Sequence, residues 1–482
     1  MKPRPPIIAI LGHVDHGKTT LLDQIRKSTI AKREHGGITQ KIGAYEITTD
    51  IKGYKTNKIT FIDTPGHEAF SALRARGANV ADLAILIIDA KDSVMPQTAE
   101  SISHIKAANI PFIVALNKVD LPDANTDKVK NDLLKYEVAV EGKGGHVPTI
   151  EISAKTGAGI NELLETILII TSDLNLTFEE KDSPRAYIIE SKKDKRGIIA
   201  SVILKMGSLH IGDEIFADDK KIKVKMMISD TGEHLTVALP STPFELLGFN
   251  EMPQVGTTIT NQQITKEMIE PTSITDNKID LDSLLHPKML EKKLSLIIKA
   301  DSQGSLEAIV NSLDKNKNVE IILKAIGDVN KSDIFLAKTT NSIVIGFSVN
   351  IFPEVVELSK QEKVIIKTYN IIYELLEELN EVADLLKEKE EKEKHLKGEA
   401  KILAQFVIEK EAIFGVKIIK GKINLADQLE VYRQNKMIGK TKLVSLKIRA
   451  KPMEEVKKDQ EAGMIFSPPL DIRTGDVVKS IL

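Results

Sequence analysis

The sequence contains no cysteine and no long apolar stretch. None of its 482 residues is a cysteine, which excludes disulfides, thiol catalysis and cysteine metal ligands and is compatible with a reducing cytoplasm. No run of about 18 uncharged apolar residues occurs, and residues 1–6 lack the apolar segment of a secretory signal. We therefore expect a cytoplasmic protein with no membrane partner, in which any metal is held by oxygen or histidine.

A strong net charge is also missing, because the formal net charge is −2. The total hides a local excess, since residues 401–482 contain 16 Lys and Arg against 10 Asp and Glu, a difference of +6. A basic end domain that faces phosphates would explain this excess. An ordinary solvated surface explains it equally well.

The hydrophobic pattern divides the chain into several domains, as its length requires. Short apolar runs that alternate with amphipathic segments predict a doubly wound α/β domain over residues 1–175. Alternating strand patterns with glycine turns predict a β-barrel over 183–262 and a second one over 399–482. The segments between the barrels are a polar linker over 263–287, an α/β unit over 288–370 and one helix over 371–398.

The helix over 371–398 carries apolar residues at helical spacing and then a charged run at 387–394. A helix of about 27 residues is about 40 Å long, enough to hold a terminal domain away from the rest. An ordinary packed helix with a frayed charged end is the alternative. We expect Gly398 to end this helix, and we expect turns at Gly421, Gly439 and Gly475 to separate strands of the last barrel.

A phosphate-binding loop follows the first predicted strand and precedes a helix predicted over residues 20–26. The loop and its first helical residues are Gly12, His13, Val14, Asp15, His16, Gly17, Lys18, Thr19 and Thr20. The glycines let backbone N–H groups surround phosphate oxygens, and the helix N-terminus adds partial positive charge. Lys18 then reaches the outer phosphates and the Thr19 hydroxyl can ligate Mg²⁺. A glycine turn without a ligand is the alternative for this motif alone.

Three further motifs each follow a predicted strand. They are Asp63-Thr64-Pro65-Gly66-His67, Asn117-Lys118-Val119-Asp120 and Ser153-Ala154-Lys155. Asp63 is placed to hold Mg²⁺ through water, and Gly66 frees the backbone to contact the terminal phosphate. The Asp120 carboxylate can accept N1–H and the exocyclic amine of guanine, and the Ala154 N–H can bond guanine O6. The four motifs together predict that the chain binds GTP or GDP with Mg²⁺.

The histidines inside these motifs resemble those of the translational GTPases, which carry His-Val-Asp-His in the phosphate loop and a histidine after Asp-Thr-Pro-Gly. This resemblance implies that His67 is the catalytic residue and orients the attacking water. It also implies that Val14 and Ile38 form a hydrophobic gate beside His67, and that Thr39 binds Mg²⁺ when GTP is bound.

Segments along the whole chain are similar to the bacterial translation initiation factor 2 family. Among them are Gly-Gly-Ile-Thr-Gln ending at Gln40, Arg74-Ala-Arg-Gly-Ala, Lys299-Ala-Asp and Ile371-Ile-Tyr. The resemblance implies an α/β/α sandwich over 288–370 and makes 399–482 the candidate initiator-tRNA-binding domain. It implies a monomer that brings formylmethionyl initiator tRNA to the small ribosomal subunit, promotes joining of the large subunit, meets other initiation factors and hydrolyses GTP on the ribosome. An elongation-type tRNA carrier and a ribosome-binding or RNA-binding module with an inactive GTPase domain are the alternatives.

The sequence departs from the family pattern in three places. The family usually carries a long extension before the GTPase domain, whereas here the first predicted strand begins at residue 7, so we expect the contacts of that extension to be missing or the sequence to be a shortened one. Ala462 stands where the family commonly has a cysteine between Glu461 and Gly463, and this changes the expected formylmethionine pocket. Lys41 replaces a histidine often found after the Thr-Gln pair.

Overall fold

The computed structural model describes residues 1–27, 38–217, 219–262, 293–394, 396–408, 411–434, 436–449 and 451–481. These residues form two compact units. The first unit comprises the described residues up to 262 and those from 294 to 380, and the second comprises Lys293 and the described residues from 381 onward. The predicted linker over 263–287 and two residues of the Thr39 loop, Gly36 and Gly37, lie outside the described residues.

The first domain is built on a six-stranded sheet. Its elements are β1 (Lys2–Pro3), β2 (Ile7–Gly12), α1 (Lys18–Arg26), β3 (Gly43–Thr48), β4 (Lys58–Asp63), α2 (Ser71–Val80), β5 (Leu83–Asp89), α3 (Pro96–Ala108), β6 (Phe112–Asn117), α4 (Thr126–Leu134), β7 (Thr149–Glu151), α5 (Ile160–Asp173) and β8 (Thr177–Phe178). The strand order is β3-β4-β2-β5-β6-β7. All neighbours are parallel except β3 and β4.

The central strands of this sheet are buried along their whole length. Every residue of β2 and of β5 is buried, which is the pattern of a parallel strand covered on both faces. The predicted α/β fold of this region is therefore confirmed. Because β2, β4 and β6 run in the same direction, their last residues, Gly12, Asp63 and Asn117, reach the same edge of the sheet.

The second domain is an antiparallel sheet wrapped around its own apolar core. Its strands are β9 (Arg185–Asp194), β10 (Gly197–Met206), β11 (Leu209–His210), β12 (Glu214–Ala217), β13 (Lys220–Lys223), β14 (Met226–Ser229), β15 (His234–Leu235), β16 (Val237–Ala238), β17 (Pro243–Phe249) and β18 (Thr258–Thr260). Eight of them pair in the order β13-β12-β18-β9-β10-β17-β14-β15. The Val224 N–H bonds to Asp213 and the Lys225 N–H to Leu247, and these bonds separate β13 from β14.

The third domain is a parallel sheet with three helices. Its elements are β19 (Leu294–Ala300), α6 (Gln303–Leu313), β20 (Val319–Ile326), α7 (Lys331–Thr340), β21 (Ile343–Phe347), α8 (Pro353–Glu362) and β22 (Ile366–Tyr369). The strand order is β20-β19-β21-β22. Helix α7 was not predicted, and its start is marked by the capping box of Asn330 and Asp333. Helix α6 joins this domain to the second one, because the Gly304 N–H donates to the Glu190 carboxylate at 3.0 Å.

The last elements are a helix and a closed barrel. They are α9 (Ile372–Lys394), β23 (Leu396–Ile408), β24 (Glu411–Asn424), β25 (Gln428–Arg433), β26 (Lys436–Ile448), β27 (Lys451–Pro452), β28 (Glu455–Lys457), β29 (Glu461–Ser467) and β30 (Val477–Ile481). Six strands close in the order β23-β30-β25-β26-β29-β24, because β24 also pairs with β23. The fold class is therefore confirmed, with its α/β domains and its terminal barrel.

Gly398, Gly421 and Gly439 lie inside strands, and not at the helix end and turns that were predicted for them. Helix α9 ends at Lys394, and Gly398 lies inside β23 opposite Gly421 of β24. A side chain at Gly398 would meet the Lys422 carbonyl, so the glycine permits close strand approach rather than ending a helix. Gly439 lies inside β26, and Gly475 lies in a turn as predicted.

The boundaries that the sequence analysis gives for the six segments stay predictions. None of the helices in the described part of the chain is both long and apolar enough to cross a membrane.

A buried ion pair within the first domain also contacts two side chains of the second domain. The Arg4 guanidinium donates to both carboxylate oxygens of Asp82, at 2.6 and 2.8 Å, and to the Ser241 hydroxyl at 3.3 Å. Lys205 lies 3.2 Å from the same carboxylate. Burial of Asp82 opposes its ionisation, but the two cations hold its pKa below the usual value.

We predict that Asp82→Asn lowers the free energy of unfolding by about 3 to 5 kcal/mol, because it leaves the buried Arg4 without its anionic partner. Since the folded pKa of Asp82 is lowered, the stability that this carboxylate contributes is complete above the unfolded pKa of about 3.9 and is lost as pH falls through the folded value. Urea unfolding followed by circular dichroism measures both effects. Asp173→Asn, at the exposed end of α5, is the matched control, and an equal loss in both variants would contradict the prediction.

Candidate functional site

The phosphate loop connects the end of β2 to the start of α1. Gly17 is the N-cap of α1, with a left-handed φ of 95°, and it supplies no side-chain cap. No capping side chain therefore accepts a hydrogen bond from the first N–H groups of the helix. These groups and the positive end of the helix form a site that suits an anion.

The Lys18 ammonium is buried within this loop. It donates to the Gly12 carbonyl at 3.0 Å and to the His13 carbonyl at 2.6 Å. Burial lowers the pKa of Lys18 to about 8, although Asp63 raises it. A phosphate beside Lys18 would favour the charged form again, so nucleotide and ammonium stabilise each other.

Two predicted nucleotide-binding histidines act as neutral packing groups in the loop. The His16 ring is 1% exposed, and its pKa falls to about 3, first because of burial and then because of His13 and Lys18. The pKa of His13 is lowered as well, first by burial and then by Lys18. The two ring centroids are 5.0 Å apart. Their side chains thus add no positive charge at neutral pH.

The Asn117 carboxamide ties two of the predicted loops together. Its Nδ2 donates to the His16 carbonyl at 2.8 Å, and its Oδ1 accepts from the Ala154 N–H at 2.9 Å. The Ala154 N–H, expected to bond guanine O6, is therefore used for this clamp in the structure. Lys118 lies 2.7 Å from Asp89, so it too is held in place.

All four predicted motifs contribute to one cavity of about 380 Å³. The predicted residues that line it are Val14, Asp15, Gly17, Lys18, Thr19, Thr20, Ile38, Thr39, Gly66, His67, Asn117, Lys118, Asp120, Ala154 and Lys155. The other predicted residues lie outside its lining, namely Gly12, His13, His16, Asp63, Thr64, Pro65, Val119 and Ser153. Leu121 and Tyr373 line the cavity without having been predicted. Leu121 directly follows Asp120, but no local pattern marks Tyr373, which belongs to α9.

The predicted magnesium ligands present hard oxygen donors. The Thr19 and Thr39 hydroxyls are hydrogen-bonded to each other, so the two side chains meet. Asp63, 3% exposed, ends β4 and acts electrostatically on Lys18. Hydroxyl and carboxylate oxygens are ligands that suit Mg²⁺, and the donor set therefore fits the ion.

His67 lies at the turn after β4 with its imidazole largely buried. Its Nδ1 accepts the Ala69 N–H at 2.9 Å, and its ring centroid lies 3.9 Å from that of Tyr373. Burial lowers the pKa of His67, with Glu68 opposing and Arg74 adding to the effect. The imidazole is therefore neutral at pH 7.

Arg74, for which no role was predicted, shapes this turn. The Arg74 guanidinium is fully buried and donates to the Pro65 carbonyl at 3.0 Å, the His67 carbonyl at 2.5 Å and Glu100 at 2.6 Å. It thus holds the backbone on both sides of Gly66. An arginine on a helix has no local signature for such a task, because its partners are set by tertiary packing.

The fold and this cavity define a class of protein, and comparisons with known families agree. Residues 4–172 match the family described as elongation factor Tu GTP binding domain. Residues 183–262 match elongation factor G domain 2, and residues 272–380 match translation-initiation factor 2. The first domain is thus a GTP-binding domain of the translational type.

Curated relatives narrow the class to one family. A translation initiation factor IF-2 of Bartonella tribocorum is 41% identical over 100% of this chain and 59% of its own length. The factor of a Geobacillus species is 40% identical over 99% of this chain and 67% of its own, and that of Caldanaerobacter subterraneus is 38% identical over 100% and 70%. The chain belongs to the translation initiation factor 2 family, and it spans 59% of the length of the Bartonella tribocorum relative.

A solved structure is also similar to the chain. The crystal structure of GDP-bound aIF5B from Aeropyrum pernix is 25% identical, covers 99% of this chain and 92% of its own, and has a TM-score of 0.48.

We predict that Gly66→Ala weakens binding of GTP about tenfold or more. A Cβ at this position would meet the Lys18 ammonium and lie 2.8 Å from the Val14 amide nitrogen, and backbone cannot move aside as a flexible side chain can. The change therefore displaces both groups that line the phosphate end. Equilibrium titration with a fluorescent GTP analogue measures the affinity.

Gly463→Ala is the matched control, since a Cβ there has its nearest neighbour at 3.5 Å. Unchanged affinity in Gly66→Ala would mean that the turn at Gly66 does not bound the phosphate site.

Proposed function

We propose that this chain binds GTP with Mg²⁺ and hydrolyses the nucleotide when the assembled ribosome stimulates it. We further propose that it promotes binding of formylmethionyl initiator tRNA to the small ribosomal subunit and joining of the large one. One observation carries this proposal. In a chain of the translation initiation factor 2 family, the phosphate loop, the Asp120 loop and His67 line the same cavity.

The phosphate end of the cavity is built for a polyanion. Lys18 brings a buried ammonium, the start of α1 brings N–H groups that no capping side chain engages, and Gly66 brings its backbone against Val14. Thr19, Thr39 and Asp63 would hold Mg²⁺, which would neutralise part of the phosphate charge when bound. These groups stabilise charge that spreads over the phosphate oxygens during transfer.

The opposite end of the cavity suits guanine. Asp120 is exposed at the cavity wall, where its carboxylate can accept two donors of guanine that adenine lacks. Asn117 and the Lys118 pair with Asp89 hold this wall against the phosphate loop.

The state of His67 supports dependence on the ribosome. Its Nδ1 is occupied by the Ala69 N–H, so the neutral ring has no free lone pair to accept a proton from water. Arg74 is bonded to the carbonyls of Pro65 and His67 and is not offered to a phosphate. Hydrolysis by the protein alone is therefore slow, and an external partner has to reposition His67.

The nucleotide also sets the conformation of the loops that touch it. Thr39 and Gly66 would be held by Mg²⁺ and the terminal phosphate and released after hydrolysis, an order-to-disorder switch. Val14 and Ile38, which line the cavity beside His67, would act as the hydrophobic gate.

The ribosome, initiator tRNA and other initiation factors are the proposed partners of the chain. The cytoplasm is its proposed compartment, and a monomer is its proposed oligomeric state.

The C-terminal barrel is the proposed site for initiator tRNA. Its excess of positive residues suits an RNA backbone. Ala462, which replaces the cysteine of the family, is 6% exposed and packs in the apolar core of the barrel. The small side chain is thus part of the packing behind any pocket for formylmethionine.

The two alternatives are less well supported. Membership of the translation initiation factor 2 family and the third domain with α9 argue against an elongation-type carrier. An inert GTPase domain would not need Lys18, Thr19 and His67 around one cavity.

We predict that His67→Ala keeps its affinity for GTP within about twofold but loses ribosome-stimulated hydrolysis by roughly 10²- to 10⁴-fold, the range of a positioned acid–base group. Release of phosphate is measured with both ribosomal subunits, initiator tRNA and message, and again without them. His234→Ala, at an exposed position of β15, is the control. Turnover by the unchanged protein that ribosomes do not alter would contradict the proposed mechanism, and lost GTP binding in His67→Ala would make the residue structural.

We also predict that the full chain slows deacylation of formylmethionyl initiator tRNA and that a chain shortened to residues 1–380 does not. The shortened chain retains every cavity residue named above and should bind GTP unchanged. Residues 399–482 alone should protect the ester if the barrel is sufficient. Equal protection by the full and shortened chains would place the tRNA site elsewhere.

A further inference from the structure

Tyr373 brings a side chain of α9 into the nucleotide cavity. It lies in the first turn of the helix, it lines the cavity, and its ring centroid is 3.9 Å from that of His67 with the planes inclined at 59°. Phe70 lies against the same imidazole, with a centroid distance of 6.0 Å. The proposed catalytic ring is therefore held by a residue more than 300 positions later in the sequence.

The turn that carries Tyr373 is fixed to the loop that carries Thr39. The Gln40 side chain donates to the Asn370 carbonyl at 2.8 Å and accepts the Ile372 N–H at 3.0 Å. Gln40 is 9% exposed, so both bonds are shielded from water. Lys41 forms a second link, an ion pair with Asp301 at the end of β19.

These contacts make one continuous path from the proposed magnesium site to His67. The Thr39 hydroxyl is bonded to that of Thr19 in the phosphate loop. The next residue, Gln40, is bonded to the Asn370 carbonyl and the Ile372 N–H. Tyr373 directly follows Ile372. Because Thr39 and Gln40 share a peptide bond, a displacement of Thr39 shifts the amide that holds the start of α9.

We propose that Tyr373 is a positioning residue for His67, which holds the imidazole against the Ala69 N–H and away from the attacking water until the Gln40 contacts release the first turn of α9. This inference rests on the proposed function, because it concerns the same cavity and the same histidine. It adds that α9, through Tyr373, keeps His67 from the attacking water, and that the Thr39 loop controls this contact through Gln40.

The packing explains why the tyrosine ring has this effect. To accept a proton from water, His67 has to turn its Nδ1 away from Ala69 or change tautomer. Tyr373 and Phe70 lie against the ring on α9 and on the turn after β4, and they restrict its rotation. Burial is also the largest cause of the lowered pKa of His67.

The test compares Tyr373→Ala with Tyr373→Phe in the full chain. Alanine favours the helix more than tyrosine does, so loss of α9 is not expected from the change. We expect Tyr373→Ala to hydrolyse GTP without ribosomes about 2- to 10-fold faster than the unchanged chain, the factor that one aromatic contact is worth when expressed as a rate. Tyr373→Phe keeps the ring and should behave as the unchanged chain does.

A second measurement reports the imidazole directly. Nitrogen-15 histidine spectra of the nucleotide-free full chain give the tautomer and the pKa of His67, assigned by loss of the signal in His67→Ala. In Tyr373→Ala the pKa should rise toward 6.5 and the Nδ1–H and Nε2–H tautomers should exchange. Leu385→Ala, an exposed site on the same helix, is the control and should change neither the rate nor the spectrum.

The double variant His67→Ala with Tyr373→Ala shows whether the effect passes through His67. The gain in rate should vanish in this background, and a gain that survives would overturn the proposal. An unchanged rate together with unchanged His67 signals in Tyr373→Ala would overturn it too. Failure of the proposed function has a different signature, namely no hydrolysis by the unchanged chain even with ribosomes, while the spectra still report on Tyr373.

Discussion

A buried ammonium governs the architecture of the site. Lys18 lies inside the phosphate loop with two backbone carbonyls as its hydrogen-bond acceptors, and burying a charge is costly unless partners compensate. The loop therefore has to curl so that the Gly12 and His13 carbonyls face the ammonium. Asp63 supplies distant negative charge. A phosphate completes the compensation, so ligand binding and stability of the loop are linked.

The parallel sheet places every other part of the site around that ammonium. β2, β4 and β6 end at one edge, and the Asn117 carboxamide then fixes the loop after β7 to the phosphate loop through the Ala154 and His16 backbones. On the far side of the cavity the Thr39 loop is held by Gln40 to the start of α9. A group that binds at the phosphate end thus touches segments from two domains, which is the condition for a switch that both can bias.

Sequence patterns predicted the parts of this arrangement that depend on local chemistry. Buried parallel strands appear as unbroken apolar runs, and the loops after them carry glycine, lysine and carboxylate at fixed spacing, so the cavity residues could be named in advance. Helix α7 was not predicted because its apolar face is short, with Ile334 and Ala337 as its buried apolar residues. Gly398 was misplaced because a glycine ends a helix and admits a close strand equally well. Tyr373 and the second use of the Ala154 N–H depend on contacts between segments far apart in the sequence, which no local pattern encodes.

The same geometry supports the proposed dependence of catalysis on a partner. The cations near the phosphate end are committed: Lys18 to loop carbonyls and Arg74 to the turn around Gly66. The imidazole that should meet the water is neutral, bonded through Nδ1 and packed under Tyr373. Freeing it means breaking a hydrogen bond and an aromatic contact, each of which is modest alone. Because both are held by the same turn of backbone and the same helix start, a partner that moves either segment loosens both restraints on the imidazole.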